Sequence, residues 1–192
     1  MINIKKDKIV VEFTEDNLNR FLSDYYSTHR KTKKPIVEGC LPRSMNKILV
    51  ITNRIVQNNH KKHRGLYVGY VLKELGLEKL GICECDLKVH FIFPTKVRHD
   101  LDNMVAGLKE ILDPFSDLGV TLDDNYSVIK SITATASYEK NVSKMIMTFD
   151  NCKFDVQATL EAMEKEKIKR EKRELTLKNN KLKKKNRKDL IN

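Results

Sequence analysis

The apolar positions of the chain change period several times, and each change marks an element. Leu87-Lys88-Val89-His90-Phe91-Ile92-Phe93 alternates, with Leu87, Val89, Phe91 and Phe93 on one side. That predicts a half-buried strand closed by Pro94. Two later runs rich in Thr, Ile, Met and aromatics, 128–138 and 144–149, predict two more strands. Helical spacing instead links Leu66, Val68, Val71, Leu72 and Leu75, ahead of a stop at Gly76. It also links Val105, Leu108, Ile111 and Leu112 in a second helix over 103–112. The order strand, helix, strand, strand predicts an α/β (α+β) fold, a small mixed β-sheet packed with helices.

Both ends read differently. Ile9-Val10-Val11-Glu12-Phe13 has strand character, and Leu18, Phe21, Leu22, Tyr25 and Tyr26 recur at helical spacing before the basic loop 30–35 breaks the pattern. After Asp155 the chain is Lys/Glu-rich without a sustained heptad, which predicts a helix to about Leu177 and then a disordered basic tail. The expected organisation is an N-terminal extension (1–38), a folded domain (39–152) and a basic helical or disordered C-terminal segment (153–192).

Length and composition narrow the partners. The 192 residues fit one domain with extensions. No stretch approaches the roughly 20 apolar residues of a membrane helix. The N-terminal Met-Ile-Asn-Ile-Lys-Lys-Asp is charged where a signal peptide is apolar. The expectation is a cytoplasmic protein with no membrane partner. Four irregularly spaced cysteines then remain thiols. Cys83 and Cys85, one residue apart with no matching second pair, read as ordinary strand residues more readily than as zinc ligands.

The net charge is +11, and residues 155–192 carry 13 basic and 7 acidic residues, or +6, which leaves +5 for the rest. A positive field concentrates polyanions, nucleic acid first among them. For the C-terminal segment, an arm along DNA phosphates and a solvated charged helix are both open.

The chemistry is concentrated in Arg98-His99-Asp100-Leu101-Asp102-Asn103 and, two dozen residues later, Leu122-Asp123-Asp124-Asn125. If 98–102 is extended, Asp100 and Asp102 point to one side with Arg98 beside them, and Asp102 opens the following helix. Two carboxylates so close repel until a cation joins them, and Mg²⁺ prefers such oxygens. Helix capping explains one of the two without any metal. Of Asp123 and Asp124, adjacent residues face opposite ways; Asp124 is the candidate for the site and Asp123 for capping a turn. Asp102, Ala106, Lys109 and Asp113 share one face of the second helix, so Lys109 is a candidate to stabilise phosphoryl charge, with a solvated helix lysine the plainer reading of the residues alone.

Candidate DNA contacts are Arg98, His99 and a basic loop ahead of the first body helix, which includes Lys61, Lys62 and Arg64. An exposed loop with solvated charges is an equally open reading there. Tyr67 and Tyr70 could stack on bases, with helix packing the simpler reading, and His90 is read as structural.

Taken in order, Leu41-Pro42-Arg43-Ser44-Met45-Asn46, Asp100-Leu101-Asp102-Asn103, a helix ending Lys109-Glu110-Ile111-Leu112-Asp113, Leu118-Gly119-Val120 and Asp123-Asp124 resemble the RusA-type Holliday-junction resolvases over residues 40–150. The resemblance implies a homodimer acting on branched DNA, a four-way junction above all. It implies a Mg²⁺ cofactor, replaceable by Mn²⁺, held by Asp100, Asp102 and Asp124. It implies phosphodiester hydrolysis leaving 5′-phosphate ends, with Lys109 as the essential lysine. This sequence departs from the pattern twice. Ala106 stands where the family has its lysine, and Lys109 lies three residues on, about 4.5 Å along a helix at roughly 1.5 Å per residue. Pro114 stands where the family helix continues, and is expected to end or kink it. Two other readings stay open: a junction-binding protein of the same fold with an impaired site, and a basic RNA-associated protein whose aspartates only cap helices.

Overall fold

A computed structural model describes residues 7–189. Four strands form one mixed sheet in the order β1-β4-β2-β3, with β1 at Ile9–Thr14, β2 at Ile82–Phe93, β3 at Ile129–Tyr138 and β4 at Lys144–Phe154. β1 and β2 both run antiparallel to β4, whereas β3 runs parallel to β2. The helices are α1 (Glu15–Thr28), α2 (Met45–Leu49), α3 (Arg54–Glu74), α4 (Leu101–Ala106), α5 (Lys109–Asp117) and α6 (Val156–Asp189). The mixed sheet with helices is the fold class that the hydrophobic pattern predicts.

The alternation in β2 buries Leu87, Val89, Phe91 and Phe93 and leaves Lys88, His90 and Ile92 toward the other face. Fully burying a side chain of this size contributes about 1.5–3 kcal/mol. Helices cover that buried face. Tyr67 of α3 meets Phe13 of β1 with ring centroids 5.9 Å apart, and Phe115 of α5 meets Phe149 of β4 at 5.2 Å. Tyr67 is fully buried and donates its hydroxyl to Asn17 Oδ1 at 2.6 Å. It is a core residue, as is Phe21 beside it.

Three sequence expectations are corrected here. Residues 9–28 are no separate extension: β1 pairs with β4 along its whole length, and α1, started by a capping box of Thr14 and Asn17, packs on α3. The cluster 60–64 is not a loop, because α3 begins at Arg54, where Asn53 accepts hydrogen bonds from the amides of Ile55 and Val56. Pro114 does not end its helix; α5 runs through it to Asp117. The proline ring is buried, and a Cβ on Gly65 of α3 would stand 3.7 Å from its Cγ. Packing against α3 thus offsets the helical hydrogen bond that proline cannot donate.

Among the described residues no helix is long and apolar enough to cross a membrane. The C-terminal segment is helical through Asp189, and residues 190–192 of the expected tail lie outside the described residues.

Candidate functional site

The Asp100–Asp102 motif follows the C-terminal end of β2. Residues 94–100 are irregular and mostly exposed, and His99 stacks on Phe93 with centroids 4.0 Å apart and planes 13° from parallel. Asp100 is extended (φ −74°, ψ 117°) and occupies the N-cap position of α4, yet its side chain makes no capping hydrogen bond. Asn103 Nδ2 donates to its Oδ2 at a long 3.4 Å. Asp102 lies in the first turn of α4, so 98–102 is not one extended stretch and period-2 alignment does not relate the two aspartates. Capping therefore does not account for Asp100. Among the described residues neither carboxylate has a cationic partner.

The expected single helix 103–112 is two helices joined by an elbow at Gly107-Leu108. The cause is a close approach. The carbonyl oxygen of Arg43 occupies the space beside Gly107, only 2.1 Å from where a Cβ would lie. Around the elbow the hydrogen bonds tighten to i−3, from Leu108 N–H to Val105 O at 3.0 Å and from Ile111 N–H to Leu108 O at 2.9 Å. The helical phase that would relate Asp102 to Lys109 is broken. Ala106 and Lys109 consequently belong to different helices.

Lys109 starts α5 and reaches the turn after it. Its ammonium donates to Asp124 Oδ2 and pairs with Asp113 Oδ1 at 2.9 Å. Partial burial alone would lower the lysine pKa; the two carboxylates outweigh it and hold the group above its ordinary value. Burial likewise pushes Asp113 up, but Lys61 and Lys109 win and hold it below the usual carboxylate value. Lys61 approaches Asp113 Oδ2 at 2.5 Å, an ion pair without the alignment of a directed hydrogen bond.

Asp124 is delivered by a short parallel pairing. Leu118–Leu122 runs beside the start of β2, with Ile82 N–H donating to Val120 O at 2.9 Å and Leu122 N–H to Ile82 O at 2.8 Å. Asp123 then spends its carboxylate on the turn, accepting from Asp124 N–H at 2.7 Å and from Asn125 Nδ2 at 2.7 Å. Asp124 is left to face Lys109. Gly119, at φ +68°, has α6 against it: a Cβ there would meet Met163 Sδ at 2.5 Å. Arg170 of α6 pairs with Asp117 at 2.5 Å. Between α5, this turn and α6 lies an open cleft of about 1070 Å³, with Lys109, Asp113, Asp124 and Lys61 among its walls. Asp100 and Asp102 do not line it.

The structure thus joins Lys109 to Asp124 and leaves Asp100 and Asp102 on a neighbouring element. Among the described residues no group of three or more His, Cys, Asp or Glu side chains is arranged to hold a metal ion. The donor chemistry, aspartate oxygens alone, nonetheless suits a hard cation.

The candidate DNA contacts divide. Lys62 is exposed on α3, and Arg98 and His99 are exposed in the 94–100 loop. Lys61 is committed to Asp113. Arg64 is corrected outright: it is 5% exposed and donates to Gly39 O at 2.7 Å, so it braces the loop before α2. His90 bridges to β3, with Nδ1 2.8 Å from Thr135 Oγ1 and Nε2 2.9 Å from Ser137 Oγ. The four cysteines are free, and burial pushes Cys40, the most enclosed, up to about 12.

No protein-family model matches the chain, and no curated protein matches its sequence.

Two site neighbours carry no assigned role in the sequence reading. Asp113 shares a helix face with Lys109 at i+4 spacing, a signal that was present but pointed to no chemistry on its own. Glu110 pairs with Arg43 at 2.6 Å, both half-hidden, across 67 residues. Nothing local marks such a partnership.

Proposed function

We propose that the chain is a divalent-metal-dependent endonuclease acting on branched DNA. The observation that carries this reading is the meeting of Lys109 and Asp124 in a charged cleft. It lies one short helix away from Asp100 and Asp102, which have no cationic partner among the described residues. The same four residues are the ones the resolvase resemblance assigns. That resemblance also supplies Mg²⁺, the homodimer and the four-way junction as proposals.

In this mechanism Asp100 and Asp102 would hold the cation, joined by Asp124 once Lys109 lets go of it. The cation's contribution is to lower the pKa of a bound water and to neutralise phosphate charge. The chain's own share is positioning. Lys109, freed of Asp124 and still beside Asp113, would present its positive charge to the transferring phosphoryl oxygens. Arg98 and Lys62 offer exposed charge to the flanking phosphates.

A second reading has one observation in its favour. The Lys109–Asp124 pair ties up the third carboxylate, as expected of a junction-binding protein of this fold that does not cut. A panel of four-way, forked, flapped and linear DNAs with Mg²⁺, run beside Asp102→Asn, separates the two. Metal-dependent cleavage of branched substrates that Asp102→Asn removes supports the nuclease; tight junction binding without cleavage supports the second reading. Binding to RNA alone overturns both.

A further inference from the structure

We propose that the groove between α1, α3 and α5 binds an unpaired DNA strand, whose bases stack on His29, Tyr25 and Tyr70. The inference rests on the nuclease reading only for the choice of DNA over RNA. The groove encloses about 880 Å³ and is separate from the cleft of Lys109 and Asp124, but Lys61, Asp113 and Asp117 wall both. A strand leaving the cleft over those residues enters the groove next. Its wall is aromatic, with Phe21 and Tyr25 from α1 and Tyr70 from α3. Phe21 is buried, and its ring centroid lies 6.0 Å from that of Tyr25 and 5.7 Å from that of Tyr70, which ties both half-buried tyrosines to the core. His29 ends the row. It is exposed, yet its ring lies on Tyr25 with centroids 4.1 Å apart and planes 8° from parallel. Its Nδ1 is 3.0 Å from the Tyr25 carbonyl oxygen, which can only accept. An exposed ring held in both ways is fixed before a ligand arrives, so little ordering remains when a base stacks on it.

The choice of occupant follows from charge and ring chemistry. Four carboxylates line the groove, and three are already neutralised: Glu110 by Arg43, Asp113 by Lys61 and Lys109, and Asp117 by Arg170. Asp24 alone has no cationic partner among the described residues. Lys62 and Lys73 line the same groove, and among the described residues neither is paired with a carboxylate. Directly after His29 the chain enters Arg30-Lys31-Thr32-Lys33-Lys34, whose four cations are exposed and likewise unpaired there. Cations flanking aromatic rings suit an anionic strand whose bases are free to stack. A paired duplex keeps its bases inside its own stack and offers no ring face to a side chain. A neutral apolar ligand makes no use of the cations. The branched DNAs this groove favours are accordingly those with a free strand, forks and flaps, over a fully paired four-way junction.

The test is fluorescence anisotropy of the full chain with EDTA present, so that no strand is cut. The labelled probes are an oligothymidine of about twelve nucleotides, an abasic strand and an oligouridine of the same length, and a fully paired four-way junction. Oligothymidine is expected to bind about tenfold tighter, or more, than the abasic strand, which carries the same charge without the bases. His29→Ala removes an exposed ring, and Tyr70→Leu keeps apolar packing. Each is expected to weaken oligothymidine binding about fivefold or more, with circular dichroism, thermal unfolding and junction binding unchanged. Should Tyr70→Leu unfold, His29→Ala decides the matter alone. Equal affinity for the abasic strand, tighter binding of oligouridine, or folded variants that bind oligothymidine like the parent each overturns the proposal. Junction binding without oligothymidine binding removes the groove and leaves the nuclease reading standing; binding to none of the probes removes both.

Discussion

The ammonium of Lys109 rests on the carboxylate of Asp124, and those two residues reach each other because α5 begins, and the Leu118–Leu122 pairing ends, at the same cleft. Asp113 holds the lysine from the other side. The lysine is shared between two carboxylates.

Lys109→Ala is expected to lower the rate of junction cleavage about 10²–10³-fold, the usual cost of removing one preorganised charge from a transition state. Metal affinity is expected to hold or rise, since Asp124 is then unpaired. Single-turnover cleavage and Mn²⁺ titration check the two halves separately, and an unchanged cleavage rate excludes Lys109 from the chemistry.

Asp102→Asn is expected to bring cleavage to background while junction binding stays or tightens. Loss of the carboxylate removes a hard ligand and also a negative charge facing the phosphates. Gel-shift and cleavage assays on one substrate measure both. Cleavage at the parent rate rules out the assignment.

The Asp113 pairing makes a prediction about acid. A carboxyl group whose folded pKa is depressed stabilises the native state fully above its ordinary pKa, and that stability is lost as the pH falls through the lower folded value. The stability gap between the parent protein and Asp113→Asn is therefore expected to be open at neutral pH and to close below the ordinary aspartate value of 3.8. Urea unfolding across pH 2–7 measures it. A gap that persists at the acid end assigns the effect to packing.

Arg64 and Lys62 separate stability from binding. Arg64→Met leaves the Gly39 carbonyl without its donor and is expected to cost about 1–3 kcal/mol of folding stability with the salt dependence of DNA binding unchanged. Lys62→Ala is expected to leave stability alone and to reduce the salt slope by about one unit. The reverse pattern overturns the description of Arg64 as a brace.

Gly107→Ala sets a Cβ against the Arg43 carbonyl, which as backbone has little freedom to yield. The expected loss is about 1–3 kcal/mol, read from urea unfolding. A neutral result means the elbow opens easily.

What the sequence revealed tracks the range of the forces involved. The strand at 87–93 was legible because alternation is local, and the stop at Gly76 because only a residue tolerant of φ +63° ends a helix that way. The turn role of Asp123 follows from its nearest neighbours. The break at Gly107 was not legible, since its cause is the backbone of Arg43, far away in sequence. The start of α3 at Arg54 was missed because the first turns of that helix, from Ile55 to His63, bury almost nothing and carry no apolar stripe. Arg64 reads as one more cation in a basic run until the fold encloses it. The distribution of the carboxylates, two at the start of α4 and one in the turn after Leu122, is likewise set by long-range packing.

The partnership of β1 with β4 carries a consequence for how the molecule is made. Among the described strands β1 pairs only with β4, and Ile9 meets its partner Phe149, 140 residues further along the chain. Phe13, buried between that sheet and Tyr67, must wait for the same event. Translation therefore leaves the apolar face of β1 uncovered until β4 has been made, and β4, seated between β1 and β2, joins the two.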